Sequence, residues 1–455
     1  MKKISALFFV VLIGFNITQI VSAQTPVPKD CSVTSISTPG GPVKPIIDMA
    51  ANEYYPSATD PYRQEGGLYG GGVNSLALTH PHMQKALAAT AQIVPRDASG
   101  NPSTTGRIGF ISLGMSNTKY EFEHFRTNAG VLQQKSAKVV LVNGAWQSMV
   151  AQRWSGREIT CGVPPPSGGI GGVTDPWDNF NNKIVQAGLT KKQVQVMWMK
   201  LTNAYPESCN NNDFADFVTK IHEDMQVIMD RLNRPDPNNP VVKEYPNLKV
   251  IYVSPRIYSG YSRDPLSPEH SAYWSGFAMR KLVQDQMAGD TSGVTYDYPI
   301  LLWGHYGSGA TTYLWANGTI PRNDGLTYEC DDFVTDGVHP ADGFNNAKEK
   351  VTTMLLNFLI NDPLTKVWFT GSGVLPSTTP QPSSSTAPSP SASVQPSASP
   401  FTKGDVNHDG VVNGGDAKLI LNNYSKNSSL VPSYFDAVVD SKVSSMDFGW
   451  VAKDW

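Results

Sequence analysis

Between residues 80 and 360 the chain alternates short, nearly continuous apolar runs with longer stretches of helical spacing. The runs Arg107–Gly114, Lys138–Ala145, Gln193–Lys200, Leu248–Pro255 and Tyr298–Gly304 are predicted strands. They lack polar alternation, which suits a parallel sheet buried on both faces. Predicted helices fall at His82–Ile93, Tyr120–Gln134, Phe214–Leu232, Tyr273–Met287 and Asn345–Ile360. In the third, Phe214, Phe217, Val218, Ile221, Met225, Ile228, Met229 and Leu232 make one apolar stripe, the mark of a core-facing helix. Strand–helix alternation predicts an α/β/α sandwich with a doubly wound parallel sheet.

The pattern stops at both ends. Lys2 and Lys3, the apolar run Ala6–Phe15 and the small residues Val21-Ser22-Ala23 read as a signal peptide over residues 1–23. The run is too short to span a bilayer, so an exported chain without membrane insertion is expected. Residues 370–402 are mostly Pro, Ser, Thr, Ala and Gly, too poor in apolar groups to offset chain entropy, and read as a linker. It separates a large domain, 24–369, from a small module, 403–455. With 40% hydrophobic residues the chain can build a sizeable core, and its net charge of −3 argues against nucleic acid as partner. Cys31, Cys161, Cys209 and Cys330 in an exported chain point to one or two disulfides, with three full pairings open.

In an open parallel sheet, sites form beyond the carboxyl ends of the strands. The first strand leaves through Gly114-Met115-Ser116-Asn117, exposing Ser116 at a strand-to-helix turn. Thr118 and Glu121 have capping-box spacing, so a helix start is expected there, with free N–H groups favouring negative charge beside Ser116. Ser112 lies inside the apolar strand and is not a candidate nucleophile. The second strand ends at Asn143-Gly144-Ala145, where a glycine lets a backbone N–H approach a substrate oxygen. The third ends at Leu201-Thr202-Asn203, bringing an amide donor to the same edge. A serine nucleophile also needs a base and a carboxylate to orient it. Asp336-Gly337-Val338-His339-Pro340, ahead of the last helix, supplies both in one glycine-containing turn. Other features point elsewhere. Glu329, Asp331 and Asp332 have the residue type of a glycosidase carboxylate pair, but they equally make a solvated acidic loop. Tyr258, Tyr261, Trp303 and Tyr306 follow the last two strands and suit either a sugar pocket or the core. Arg256 suits either an anionic group or a structural carbonyl.

The order Gly-x-Ser, Gly, Asn and Asp-x-x-His at successive strand ends resembles the SGNH (GDSL-like) hydrolases, over about Ile46–Phe369. The Gly67–Gly72 segment and Asp-Gly-x-His-Pro look like a branch of the same superfamily. The resemblance implies a flavodoxin-like sandwich, with Ser116 as nucleophile, His339 as base, Asp336 as its partner, and Gly144 and Asn203 as oxyanion donors. No cofactor is implied for catalysis. Met115 stands where the family's best-known motif has Asp, and Leu201-Thr202-Asn203-Ala204 departs from Gly-x-Asn-Asp. The resemblance, with the export signal and the small module, implies a secreted serine esterase acting on acylated polysaccharide. The alternative on the same fold is a non-catalytic glycan-binding or scaffold protein.

In the small module, Asp405, Asn407, Asp409, Asn413 and Asp416 occupy positions 1, 3, 5, 9 and 12 of an EF-hand-like calcium loop. Gly410 sits at the sharp turn, and Val411 stands at position 7, where a backbone carbonyl serves. This resembles the first repeat of a dockerin, which implies structural Ca2+ and a cohesin-bearing scaffold as partner. A second copy at Asp436, Asp440 and Asp447 is degraded, since Val438 has lost a ligand and Ser441 replaces the turn glycine.

Overall fold

The computed structural model describes residues 27–33, 35–38, 41–157, 175–204, 213–266, 268–292, 299–304 and 311–376. The expected signal segment, Cys161, Cys209, Tyr306, the expected linker beyond residue 376 and both expected calcium loops lie outside the described residues.

All five apolar runs form strands of one parallel sheet: β1 Ile108–Gly114, β2 Val139–Asn143, β3 Val194–Lys200, β4 Val250–Ser254 and β5 Ile300–Leu302. Their spatial order is β5-β4-β3-β1-β2, which is the flavodoxin-like arrangement. Every residue of β1, β3, β4 and β5 is buried, because helices cover the sheet and no face meets water. In register, Ser112 lies opposite Asn143 on one side and Trp198 on the other, while Gly114 lies opposite Lys200. The carboxyl ends of β1 and β3 therefore meet at the point where strand order reverses, and an open α/β sheet forms its crevice there.

The helices are α1 Pro81–Thr90, α2 Ser116–Thr127, α3 Ala129–Gln134, α4 Ala151–Ser155, α5 Pro176–Gln186, α6 Phe214–Asn233, α7 Ser271–Ser292, α8 Ala347–Asn361 and α9 Pro363–Phe369. The α6 stripe is buried as its spacing requires, and each such fully buried large apolar side chain contributes about 1.5–3 kcal/mol. Among the described residues, no helix is long and apolar enough to cross a membrane.

Two local expectations change. The single helix expected over Tyr120–Gln134 is two, because Asn128 breaks it and its side chain caps Gly130 and Val131 N–H. The capping box at Thr118 and Glu121 is not made. The helix begins at Ser116 with Met115 as N-cap, and both side chains turn inward to Lys200. A disulfide joins Cys31 to Cys330 across 299 residues. Beside it Lys29 donates to the carbonyls of Cys330 and Phe333, and Lys29 N–H bonds to Thr335 O. The amino-terminal segment thus straps the loop that leads to Asp336.

Candidate active site

Ser116 is the first residue of α2, directly after β1. At a helix amino terminus the first N–H groups have no intrahelical acceptor and carry partial positive charge. Across the crevice, the loop before α8 turns at Gly337, whose φ of 68° lies in the left-handed region. A Cβ there would come within 2.8 Å of Ser262 N, so glycine is required on both counts. The turn is closed by Asp336 Oδ1, which accepts from Val338 N–H at 2.8 Å and His339 N–H at 2.9 Å. The other carboxylate oxygen lies 2.7 Å from His339 Nδ1, and His339 Nε2 lies 2.7 Å from Ser116 Oγ. Ser116, His339 and Asp336 are thus brought into one hydrogen-bonded line.

Electrostatics favour an ionised end to that line. Burial raises the Asp336 carboxyl, but the bonds from the His339 ring and from two backbone N–H groups outweigh it, bringing its pKa to about 2. Behind His339, Val338 O accepts from Asn117 Nδ2 at 2.8 Å and from Arg256 Nη2 at 3.1 Å. Arg256 Nε also donates to Asn117 Oδ1 at 3.3 Å, so the three groups lock one another. Arg256 therefore serves a structural carbonyl. Nothing in sequence marks Asn117 and Arg256 as a pair, since 139 residues separate them. Deeper still, Lys200 donates to both oxygens of Glu121, at 2.6 and 2.5 Å, with both side chains buried. Burial pushes Glu121 up and Lys200 down, each opposed by the other's charge.

The two expected oxyanion donors are differently engaged. Asn203 is fully buried; its Nδ2 donates to Asp224 Oδ2 at 3.2 Å and its Oδ1 accepts from Gln152 N–H at 3.1 Å. Among the described residues one of its amide hydrogens remains unengaged. Gly144 N–H is turned to Val142 O at 3.2 Å, and its Cα face is closed by the Phe180 ring and Ser112 O. Met115 forms a small buried apolar cluster with Val150 and Ala204, on which Leu266 packs. Ser112 is fully buried and its hydroxyl donates to Asn143 Oδ1, as its place inside β1 requires.

Other candidates belong to the scaffold. Asp332 is buried and accepts from Glu329 N–H and Lys350 Nζ, both at 2.7 Å, while Asp331 is exposed. The Glu329 and Asp332 side chains cap the short turn that contains all three residues. Tyr258, Tyr261 and Trp303 are core residues, not a pocket lining. The glycine-rich segment packs beside β5, where Tyr69 OH donates to Gly304 O. Among the described residues no cluster of His, Cys, Asp or Glu has the arrangement of a metal site.

Comparison with known proteins returns no match among curated proteins. Among solved structures, the chain aligns with a gut microbial diltiazem-metabolizing enzyme, BT4096, at 12% identity and a TM-score of 0.26. That alignment covers 55% of this chain and 46% of the other, so the chain spans about half the length of that protein. It also aligns with the native aryl esterase of M. smegmatis at 14% identity and a TM-score of 0.30, covering 55% of this chain and 96% of that one. A family model matches at the carboxyl end, over residues 403–454, the region of both EF-hand-like loops. That segment of the chain is a dockerin type I domain.

Proposed function

We propose that the large domain is a serine esterase that removes acyl groups, acetyl above all, from polysaccharide. The observation that supports this reading is the unbroken line from Asp336 through His339 to Ser116, with 2.7 Å at both imidazole nitrogens. Ser116 Oγ attacks the ester carbonyl as its proton passes to His339 Nε2, and the Asp336 carboxylate holds the imidazolium that forms. The tetrahedral oxyanion is met by Ser116 N–H at the start of α2 and by the remaining amide hydrogen of Asn203. Gly144 N–H joins them once it is released from Val142 O. His339 then protonates the departing sugar alkoxide, leaving Ser116 acylated. Water, deprotonated by the same imidazole, releases the carboxylic acid and restores the serine.

The polysaccharide part of the proposal rests on the dockerin domain together with the export signal read in the sequence. Docking to a cohesin-bearing scaffold would hold the enzyme at an insoluble substrate. In the first loop the oxygen donors of Asp405, Asn407, Asp409, Asn413 and Asp416 suit a hard cation such as Ca2+, whose role is structural. In the second, Val438 offers no side-chain oxygen.

The test is covalent capture by a fluorophosphonate and release of acetate from acetylated xylan and acetylated pectin. Labelling and hydrolysis by the wild type, both lost in Ser116→Ala, are expected. Acetate release at equal rates by the two proteins would overturn the mechanism.

A further inference from the structure

Beside the reactive serine lies a second feature that the acyl-transfer chemistry does not use. A cavity of about 430 Å³ opens between α2, the end of β2 and α5, lined among others by Lys119, Glu123, Arg126, Asn143, Trp146 and Lys183. Its volume is that of a small-ligand site. Lys119 Nζ and Lys183 Nζ lie 5.3 and 5.6 Å from the centroid of the same indole, that of Trp146. Arg126 is neutralised by Glu123 through bonds of 2.7 and 2.5 Å, and Asn143 Nδ2 also donates to that carboxylate. The two lysines are not bonded in this way, although the same Glu123 carboxylate also attracts Lys119. Among the described residues neither forms an ion pair, and Lys183 bonds only to the neutral Gln186 side chain, at 3.4 Å. Three cations against one carboxylate leave the cavity with an excess of positive charge, on a chain whose net charge is −3.

Burial, with the charge of Lys183, lowers the pKa of Lys119 against the opposing charge of Glu123. The cavity is also joined to the reactive residues. Lys119 lies three residues beyond Ser116 on α2, a rise of about 4.5 Å. Trp146 N–H is anchored on Gly114 O at 3.1 Å. Between cavity and base stands Tyr120, whose ring lies 5.5 Å from that of His339 and whose hydroxyl accepts from Gln147 Nε2. Lys119 reaches it as well, at 5.9 Å from its ring centroid. His339, Tyr120, Lys119, Trp146 and Lys183 thus form one continuous track of aromatic surface and excess positive charge.

We infer that this track is a subsite for a hexuronic acid residue, so that the polymer bound is an acidic glycan. The paired ammonium groups take the uronate carboxylate, and the aromatic rings pack against the C–H groups of the sugar. A neutral xylan or mannan would leave both lysines unanswered. This inference deepens the esterase reading by naming its substrate class, and binding itself does not require Ser116 to react.

The experiment uses the full chain carrying Ser116→Ala, with calorimetry against de-esterified trigalacturonate and against xylotriose. Trigalacturonate is expected to bind at least about tenfold more tightly, a difference of about 1.4 kcal/mol, and the preference should shrink with added salt. Lys119→Gln combined with Lys183→Gln should remove the preference, while the Lys→Arg pair should retain it. Lys183→Gln alone, on a different helix from Ser116, guards against damage to α2, and thermal melting checks that each variant folds. Equal affinity for the two trisaccharides, or a preference unchanged in the double Gln variant, overturns the subsite. In the Ser116-containing protein, acetate release from acetylated xylan but not from acetylated pectin would overturn the subsite while leaving the esterase standing. Uronide binding without any ester hydrolysis would do the reverse.

Discussion

His339 Nε2 lies 2.7 Å from Ser116 Oγ, although 223 residues separate them in the chain. Each is the product of a different turn: Ser116 opens the helix after β1, and His339 closes the Asp-Gly-Val-His loop before α8. The distance is that of a strong hydrogen bond and within reach of direct proton transfer. His339→Gln should keep a polar contact at this place but lose the proposed base. Ester hydrolysis is expected to fall by about 10³-fold or more, with unfolding midpoints close to the wild type. A fall of less than about tenfold would assign the proton transfer to another group.

Asp336 gives a prediction in pH. Its pKa is depressed from 3.8 to about 2 in the folded state. A carboxyl depressed by folding contributes stability that is present above its unfolded pKa and lost as pH falls through the folded value. The loss between about pH 4 and pH 2 should be on the order of 1–2 kcal/mol. Asp336→Asn should lack this component. Urea midpoints of both proteins at pH 5 and pH 2 measure it, and parallel shifts in the two would refute it.

Arg256 and Asn117 both donate to the carbonyl of Val338, the residue before the proposed base His339. Arg256→Lys keeps a cation but loses the fork that reaches both Val338 O and Asn117 Oδ1. The His339 ring should then sit less firmly, and kcat is expected to fall about 10- to 100-fold with KM little changed. A rise in KM at constant kcat would show that the pair binds substrate instead of positioning the base.

The Glu121–Lys200 pair is buried under the site, so losing one partner strands the other's charge. Glu121→Gln should cost about 3–5 kcal/mol. Replacing both, as Glu121→Leu with Lys200→Met, should recover most of that loss, because a well-packed apolar pair needs no desolvation. Chemical unfolding of the three proteins decides. A double variant no more stable than Glu121→Gln would mean that the stranded charge is not the source of the loss.

The Cys31–Cys330 bridge closes a loop spanning 299 residues and fastens the strap beside Asp336. Its removal by Cys31→Ser and Cys330→Ser should cost about 2–5 kcal/mol. Because Lys29 also grips Cys330 O and Phe333 O, hydrogen exchange should rise first over residues 329–339. Uniform acceleration across the domain would show instead that the bridge serves only global stability.

What the sequence determined by itself was whatever depends on neighbours in the chain. Unbroken apolar runs such as Val194–Lys200 can be satisfied only between two covered faces, so the parallel sheet was legible before any coordinates. The Asp336-to-His339 turn was legible for the same reason, since one carboxylate three residues before a histidine can cap the turn and reach the ring. So was the dockerin segment, whose ligand spacing is set by a single loop. Tertiary structure decided what depends on partners far along the chain. Glu121 has the spacing of a capping residue, yet its partner is Lys200, because a buried carboxylate is satisfied better by a buried cation than by a backbone N–H. Tyr258, Tyr261 and Trp303 read equally as pocket or core until packing placed them inside. Asn117 and Arg256 carry no local signature at all. Their meeting on the carbonyl of Val338 exists only because the sheet order sets β1 and β4 on either side of β3 and brings both carboxyl ends to one edge.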